Sequence, residues 1–305
     1  MNRAGFFRFI VFLLGLSLLP GPTGGSLWAA SPSPPLITIF CSIGPHLDFC
    51  RRIGGKRVRA QLLLEPGKNP ATYAPSPAQI EALRRSRFFF SVGLPFEQIL
   101  LPKIKNLKQG PEIVDTQAGI TLLPMADQGL AENHHSHVHN EGLDPHSWLD
   151  PRLALQQAAN IAAALTRNDP EYKTYYNNNF KILESELNEL HKKLQISLHE
   201  LSGSPLMVYH PAFGYFARAY NLRQIAIEIE GKQPKARDLA QFIQTARENR
   251  VRAIFIQPQF DRHSAEKIAR AVNCAVVPID PLAVDYINNL DRIATQVRSH
   301  IEPPG

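Results

Sequence analysis

Residues 170–201, PEYKTYYNNNFKILESELNELHKKLQISLHEL, decide how this 305-residue chain is laid out. Phe180, Leu183, Leu187, Leu190, Leu194, Leu198 and Leu201 recur at spacings of three and four, while Glu184, Glu186, Lys192 and Lys193 fall off that stripe. The segment therefore reads as one helix with a single apolar face. At 1.5 Å per residue it spans roughly 48 Å. Asp169 followed by Pro170 supplies the N-cap and first-turn pair, and the periodicity stops at Gly203. A helix of that length is either half of a coiled coil or a strut packed along two domains. The flanking sequence favours the strut.

On both sides of it, short apolar runs alternate with helical stretches. Upstream, 36–40, 58–64 and 88–92 read as buried strands with helices at 47–53 and 77–86, and Asp150 followed by Pro151 starts a further helix. Downstream, 206–209, 225–229, 253–256 and 275–278 are strand-like, with helical stretches around 211–220, 237–249 and 263–272. The class expected is α/β: two α/β lobes with parallel-rich central sheets joined by one long rigid backbone helix. The boundaries expected are 1–30 for a leader, 31–168 for an N-terminal lobe, 169–202 for the linking helix and 203–305 for a C-terminal lobe.

The leader reading rests on Arg3 and Arg8 ahead of an unbroken apolar run from Phe9 to Leu19, then Pro20 and Gly21, then Ala29 and Ala30 at a cleavage point. The run is too short to span a bilayer. No cysteine follows the cleavage region, so a soluble exported protein without a lipid anchor is expected. A formal charge of +6 invites a nucleic-acid reading, but removing Arg3 and Arg8 with no acid leaves +4, and that reading loses its support. With 44% hydrophobic residues, disorder is excluded. Of the three cysteines, Cys41 and Cys50 are the pair close in sequence; they are either a disulfide or two small buried hydrophobes.

Histidine carries the chemistry. His134, His135, His137 and His139 stand in ENHHSHVHNEG at 132–142, a polar stretch without apolar periodicity that reads as a metal-attracting loop. In DPHSWLDP at 144–151, His146 lies between Pro145 and the N-cap Asp150, with Trp148 close by to orient or screen the ring. His210 ends the apolar run LMVY and precedes Pro211; Asp280 ends AVVPI and precedes Pro281. In open α/β sheets, ligands bind outside the carboxyl ends of strands. Each lobe thus offers groups to one cleft, and two imidazoles with one carboxylate form a zinc-like set.

These residues resemble the zinc-binding solute receptors of bacterial ABC importers, the ZnuA and TroA-like cluster A-I family. The resemblance covers the whole mature chain and rests on IGGKRV at 53–58, LEPGKNPATYAPSPAQI at 64–80, DPHSWLDP at 144–151, HPAFGYFARAYNL at 210–222 and VVPIDPL at 276–282. It implies two lobes on one backbone helix, His146, His210 and Asp280 as metal ligands, a periplasmic location and transfer of the ion to a membrane permease. It implies a receptor, not an enzyme, and we expect a monomer. The family's first motif reads approximately G-x-D-P-H-x-Y, whereas here Ala71 occupies the place of the metal-binding histidine. A methyl group binds no metal. The fourth place falls to water or a loop histidine, or, ranked below these, to His46, which follows Pro45 beyond the first strand and whose commoner reading is a solvent-facing helix start. His210 where relatives have glutamate points to zinc (Zn2+) before manganese (Mn2+), since manganese prefers more carboxylates.

Two other readings compete. A periplasmic zinc hydrolase would share an open His2Asp site, but no general base is evident beside the motifs, and Glu228 and Glu230 read as lying elsewhere on a strand and its turn. A degenerate receptor with altered metal specificity is supported only by Ala71.

Overall fold

The computed structural model describes residues 36–107, 109–125, 142–228 and 236–301. The first half of the chain runs β1 (Ile37–Cys41), α1 (Gly44–Gly54), β2 (Val58–Leu62), α2 (Pro77–Arg84), β3 (Phe88–Ser91), α3 (Pro95–Lys105), β4 (Glu112–Asp115) and α4 (Pro151–Asn168). Then come α5 (Lys173–Leu198), β5 (Pro205–Val208), α6 (Gly214–Ala219), β6 (Arg223–Ala226), α7 (Ala236–Glu248), β7 (Ala253–Ile256), α8 (Arg262–Val272), β8 (Ala275–Pro278) and α9 (Tyr286–His300). Helices between strands force parallel pairing, and both sheets are parallel throughout, in the orders β2-β1-β3-β4 and β6-β5-β7-β8. The two lobes expected from the alternation are therefore present, each a four-stranded sheet.

In each sheet the first strand in sequence lies between the second and the third, so the chain reverses its direction of travel beside β1 and beside β5. A crevice opens at the strands' carboxyl ends at such a point. β3 is buried on both faces, as its unbroken Phe88, Phe89, Phe90 requires.

The long helix is regular over Lys173–Leu198, with 3₁₀ turns at Pro170–Tyr172 and His199–Leu201. Its stripe is buried at Leu183, Leu187, Leu190, Leu194 and Leu198, and it packs against α1 and α4 from the first lobe and α9 from the second. Both lobes also meet at close quarters near β1: a Cβ on Gly44, in the first turn of α1, would lie 2.1 Å from the Leu282 carbonyl oxygen, so only glycine fits there.

The fold adds elements that the apolar pattern did not predict, namely α3, β4 and α9, and β6 starts at Arg223 and ends at Ala226, so it only overlaps the start of the stretch 225–229 expected as strand. The proposed leader lies outside the described residues. Among the described residues no helix is long and apolar enough to cross a membrane.

Candidate metal centre

His146 is held on a stiff segment just ahead of α4. Asp144 Oδ1 accepts from the His146 backbone N–H at 2.9 Å and from its Nδ1 at 2.7 Å. Behind the segment, Gln117 Nε2 donates to the Pro145 carbonyl at 2.7 Å and to Ser147 Oγ at 2.6 Å, and Gln157 Nε2 donates to the same hydroxyl at 2.7 Å. Trp148 is fully buried with its ring 5.2 Å from the imidazole. The screening role expected for Trp148 fits this contact.

The second lobe contributes to this segment too. Trp148 Nε1 donates to the Pro281 carbonyl at 2.9 Å, Tyr286 Oη donates to the Trp148 carbonyl at 2.6 Å, and Tyr215 Oη donates to the Asp144 carbonyl at 2.9 Å. A Cβ on Gly214 would come within 2.9 Å of Asp144 Oδ2, so this glycine leaves room for the carboxylate.

His210 stands just beyond β5. Gln257, at the end of β7, clamps its backbone from both sides, accepting from its N–H at 3.2 Å and donating to its carbonyl at 2.9 Å. Its ring stacks on Phe260 at 4.8 Å, and its Nδ1 is hydrogen-bonded to Glu228 Oε2. Burial lowers the pKa of His210, with Glu228 opposing that shift, so the neutral, lone-pair-bearing imidazole is favoured.

The two rings face each other with centroids 5.4 Å apart at 75°. Each Nδ1 is occupied by a carboxylate, which fixes the tautomer with the proton on Nδ1 and leaves Nε2 as the donor to an ion. Carboxylate–imidazole pairs of this kind orient ligands in zinc sites. Here they are Asp144 with His146 and Glu228 with His210. Sequence reasoning assigned Asp144 no role and placed Glu228 away from the motifs. The structure corrects the second point, since Glu228 lines the cleft and is bonded to His210.

The cleft between the lobes has a volume of about 300 Å³; Asn69, Pro70, Ala71 and His146 line it from the first lobe and His210 and Glu228 from the second. Ala71, expected at the place of the family's histidine, lines this cleft. Met125 and Gly142 also line the cleft, joined by the Met125 N–H donating to the Gly142 carbonyl at 2.9 Å. His134, His135, His137 and His139 belong to the segment between them and lie outside the described residues.

Asp280 is placed differently from the two histidines. Its Oδ1 accepts from Gln259 Nε2 and from the Leu282 N–H, both at 3.0 Å. Gln259, Pro281 and Leu282 line an inner recess together with His146 and His210, and Asp280 is held next to it through Gln259 and Leu282. Among the described residues no three His, Cys, Asp or Glu side chains are grouped closely enough to hold an ion. The structure brings two of the three expected ligands together.

His46 requires a correction. Neither solvent-facing nor on the cleft wall, it is fully buried in the first turns of α1, with its Nε2 2.8 Å from Gln157 Oε1 and its Nδ1 without a hydrogen-bond partner. Burial pulls its pKa down to about 4, the Gln157 contact acting in the opposite direction. Geometry removes it from the candidate ligands.

Residues 39–299 match the family described as ZnuA, zinc-uptake complex component A, periplasmic. The chain is 26% identical over 279 residues to the high-affinity zinc uptake system protein ZnuA of Bacillus subtilis, covering 89% of this chain and 85% of that one. A crystal structure of a ZnuA aligns with a TM-score of 0.79 at 36% identity, over 87% of this chain and 99% of the other. A ZnuA deletion mutant with zinc bound aligns with a TM-score of 0.80 at 35% identity, over 89% and 100%.

Proposed function

We propose, from the premise that this chain belongs to the ZnuA family of zinc-uptake components, that it captures zinc in the cleft between its lobes and hands it to an ABC permease. The observation that carries this reading is the facing pair of imidazoles, His146 and His210, each with Nδ1 tied to a carboxylate and Nε2 left to the ion. Neutral imidazoles suit zinc, and the two-histidine set argues against manganese, which favours carboxylate oxygen. Asp280 is the third ligand in this reading, moving its carboxylate from Gln259 toward the recess that Gln259 lines. With Ala71 in the cleft lining, the fourth place is left to water or to a histidine of the 134–139 stretch.

The protein acts in the periplasm as a monomeric receptor after loss of residues 1–30. It is not a hydrolase: Glu228, the acid beside the site, is bonded to the Nδ1 edge of His210, remote from a water held at Nε2, so it is not placed as a general base.

A competitive zinc titration tests the reading, run on the mature chain, on a variant lacking 134–139 and on His210→Ala. One tight site that survives the deletion and is lost in His210→Ala is the expected result. A wild-type chain without a tight zinc site, or a His210→Ala variant that keeps it, refutes the assignment.

A further inference from the structure

We propose that Cys41 and Cys50 are joined in a buried disulfide made while the chain folds, with Cys274 left as a thiol. The proposal rests on the periplasmic reading above, because such bonds persist in oxidising compartments. Cys41 is the last residue of β1 and Cys50 lies in α1; their Sγ atoms are 3.3 Å apart, and both residues are 0% exposed.

A disulfide needs about 2.05 Å between sulfurs, so the pair closes by a little over 1 Å shared between two side chains. The backbone around Cys41 is already in place. Its carbonyl accepts from the Leu63 N–H at 2.9 Å, and the next residue, Ser42, donates to Phe90 at 3.1 Å. Neither sulfur lines the cleft, and among the described residues each thiol's polar partner is the other, so nothing in the proposed metal chemistry uses them. Cys274 packs with a separate apolar cluster that includes Met207 and Tyr209, which makes the pairing unambiguous.

The chemistry is thiol–disulfide exchange with a disulfide oxidant. One cysteine thiolate attacks a sulfur of the oxidant, releasing one thiolate and leaving a mixed disulfide; the second thiolate attacks that bond and releases the other. Two protein thiols are oxidised to one disulfide, and one oxidant disulfide is reduced to two thiols. In the folded protein this route is closed. Burial and the neighbouring Cys41 push the Cys50 thiol far up, and without thiolate or access there is no exchange. The bond therefore forms before the first βα unit packs, and afterwards resists reduction. A chain folded in a reducing compartment keeps the dithiol.

The test uses the full mature chain, unfolded and reduced, then refolded with glutathione and glutathione disulfide. Free thiols are alkylated in denaturant and the protein is mapped by mass spectrometry. The expected result is one alkylated residue, Cys274, and a peptide pair linked through Cys41 and Cys50. Three alkylated cysteines, or a link to Cys274, overturn the proposal. Reduced chain folded first and then given glutathione disulfide without denaturant is expected to oxidise at least about tenfold more slowly. The oxidised form is expected to melt roughly 5 °C higher than the reduced form. A second arm expresses residues 1–305 for secretion. If the refolded chain carries the link but the expressed chain stays cytoplasmic and reduced, the compartment is wrong and the disulfide chemistry stands.

Discussion

The buried imidazole of His46 makes folding stability fall with acid, and the size of the effect follows from its surroundings. Gln157 Oε1 faces Nε2 at 2.8 Å, so the neutral ring carries its proton there. Nδ1 is buried without a partner, and charging the ring would create a second N–H with no acceptor. Loss of water on burial lowers the pKa from 6.5 to about 4, the Gln157 contact acting against it. The folded value lies below the unfolded one, so the unfolded chain takes up the proton first. The stability tied to neutral His46 is complete above the unfolded pKa and is lost as pH falls from there toward the folded pKa. At pH 5 the unfolded imidazole is almost fully charged and the folded one about nine-tenths neutral, which amounts to roughly 2 kcal/mol. His46→Gln keeps a neutral amide in that space and does not titrate. Urea unfolding at pH 7.5 and pH 5, read by circular dichroism, should show the wild type losing about 2 kcal/mol more than the variant over that interval. Equal losses in the two proteins would exclude His46 as the source of the acid sensitivity, because every other titrating group is common to both.

Glu97 should show the opposite sign. Burial raises its carboxyl to about 7, against the amides of Val92 and Gly93 that it accepts from. Its contribution is therefore fully present at low pH and is lost as pH rises through 7. Acidifying from pH 8 to pH 5 should favour wild type over Glu97→Gln by about 2 kcal/mol, measured by the same unfolding series. Glu228→Gln should weaken zinc binding roughly tenfold in a competitive titration by loosening the orientation of His210, while far-ultraviolet circular dichroism stays unchanged. Leu187→Ala in α5, at a residue 1% exposed between the lobes, should cost about 2–5 kcal/mol in denaturant unfolding.

The sequence announced the fold through its apolar runs, and the reasons for the gaps are specific. β3 was legible because Phe88, Phe89 and Phe90 need burial on both faces; β4 was not, because at the sheet edge its Glu112, Ile113, Val114 and Asp115 are at most half-buried. α3 was hidden by Pro102 in its interior, a residue that argues against a helix. In α9 the buried Leu290, Ile293 and Val297 are interleaved with Asn288, Asn289 and Asp291, which have weak helix propensity. At the site, His146 and His210 were legible from their positions at strand and helix ends. Asp144 could have been found, since an Asp two residues before a histidine is poised to cap it. Glu228 could not, because its partner lies 18 residues away and only the pairing of β5 with β6 brings the two together. His46 misled because a helix start is usually exposed, and here α4 covers it.

The three interlobe hydrogen bonds around 144–148 also say where the cleft does not open. Tyr215, Tyr286 and the Pro281 carbonyl tie the backbone of Asp144 and the two ends of Trp148 to the second lobe, while Gln117 and Gln157 tie the same stretch to the first. At about 1 kcal/mol each, drawing His146 away from His210 costs roughly 3 kcal/mol before any packing is lost. That cost makes the stretch 144–148 the fixed edge of the cleft.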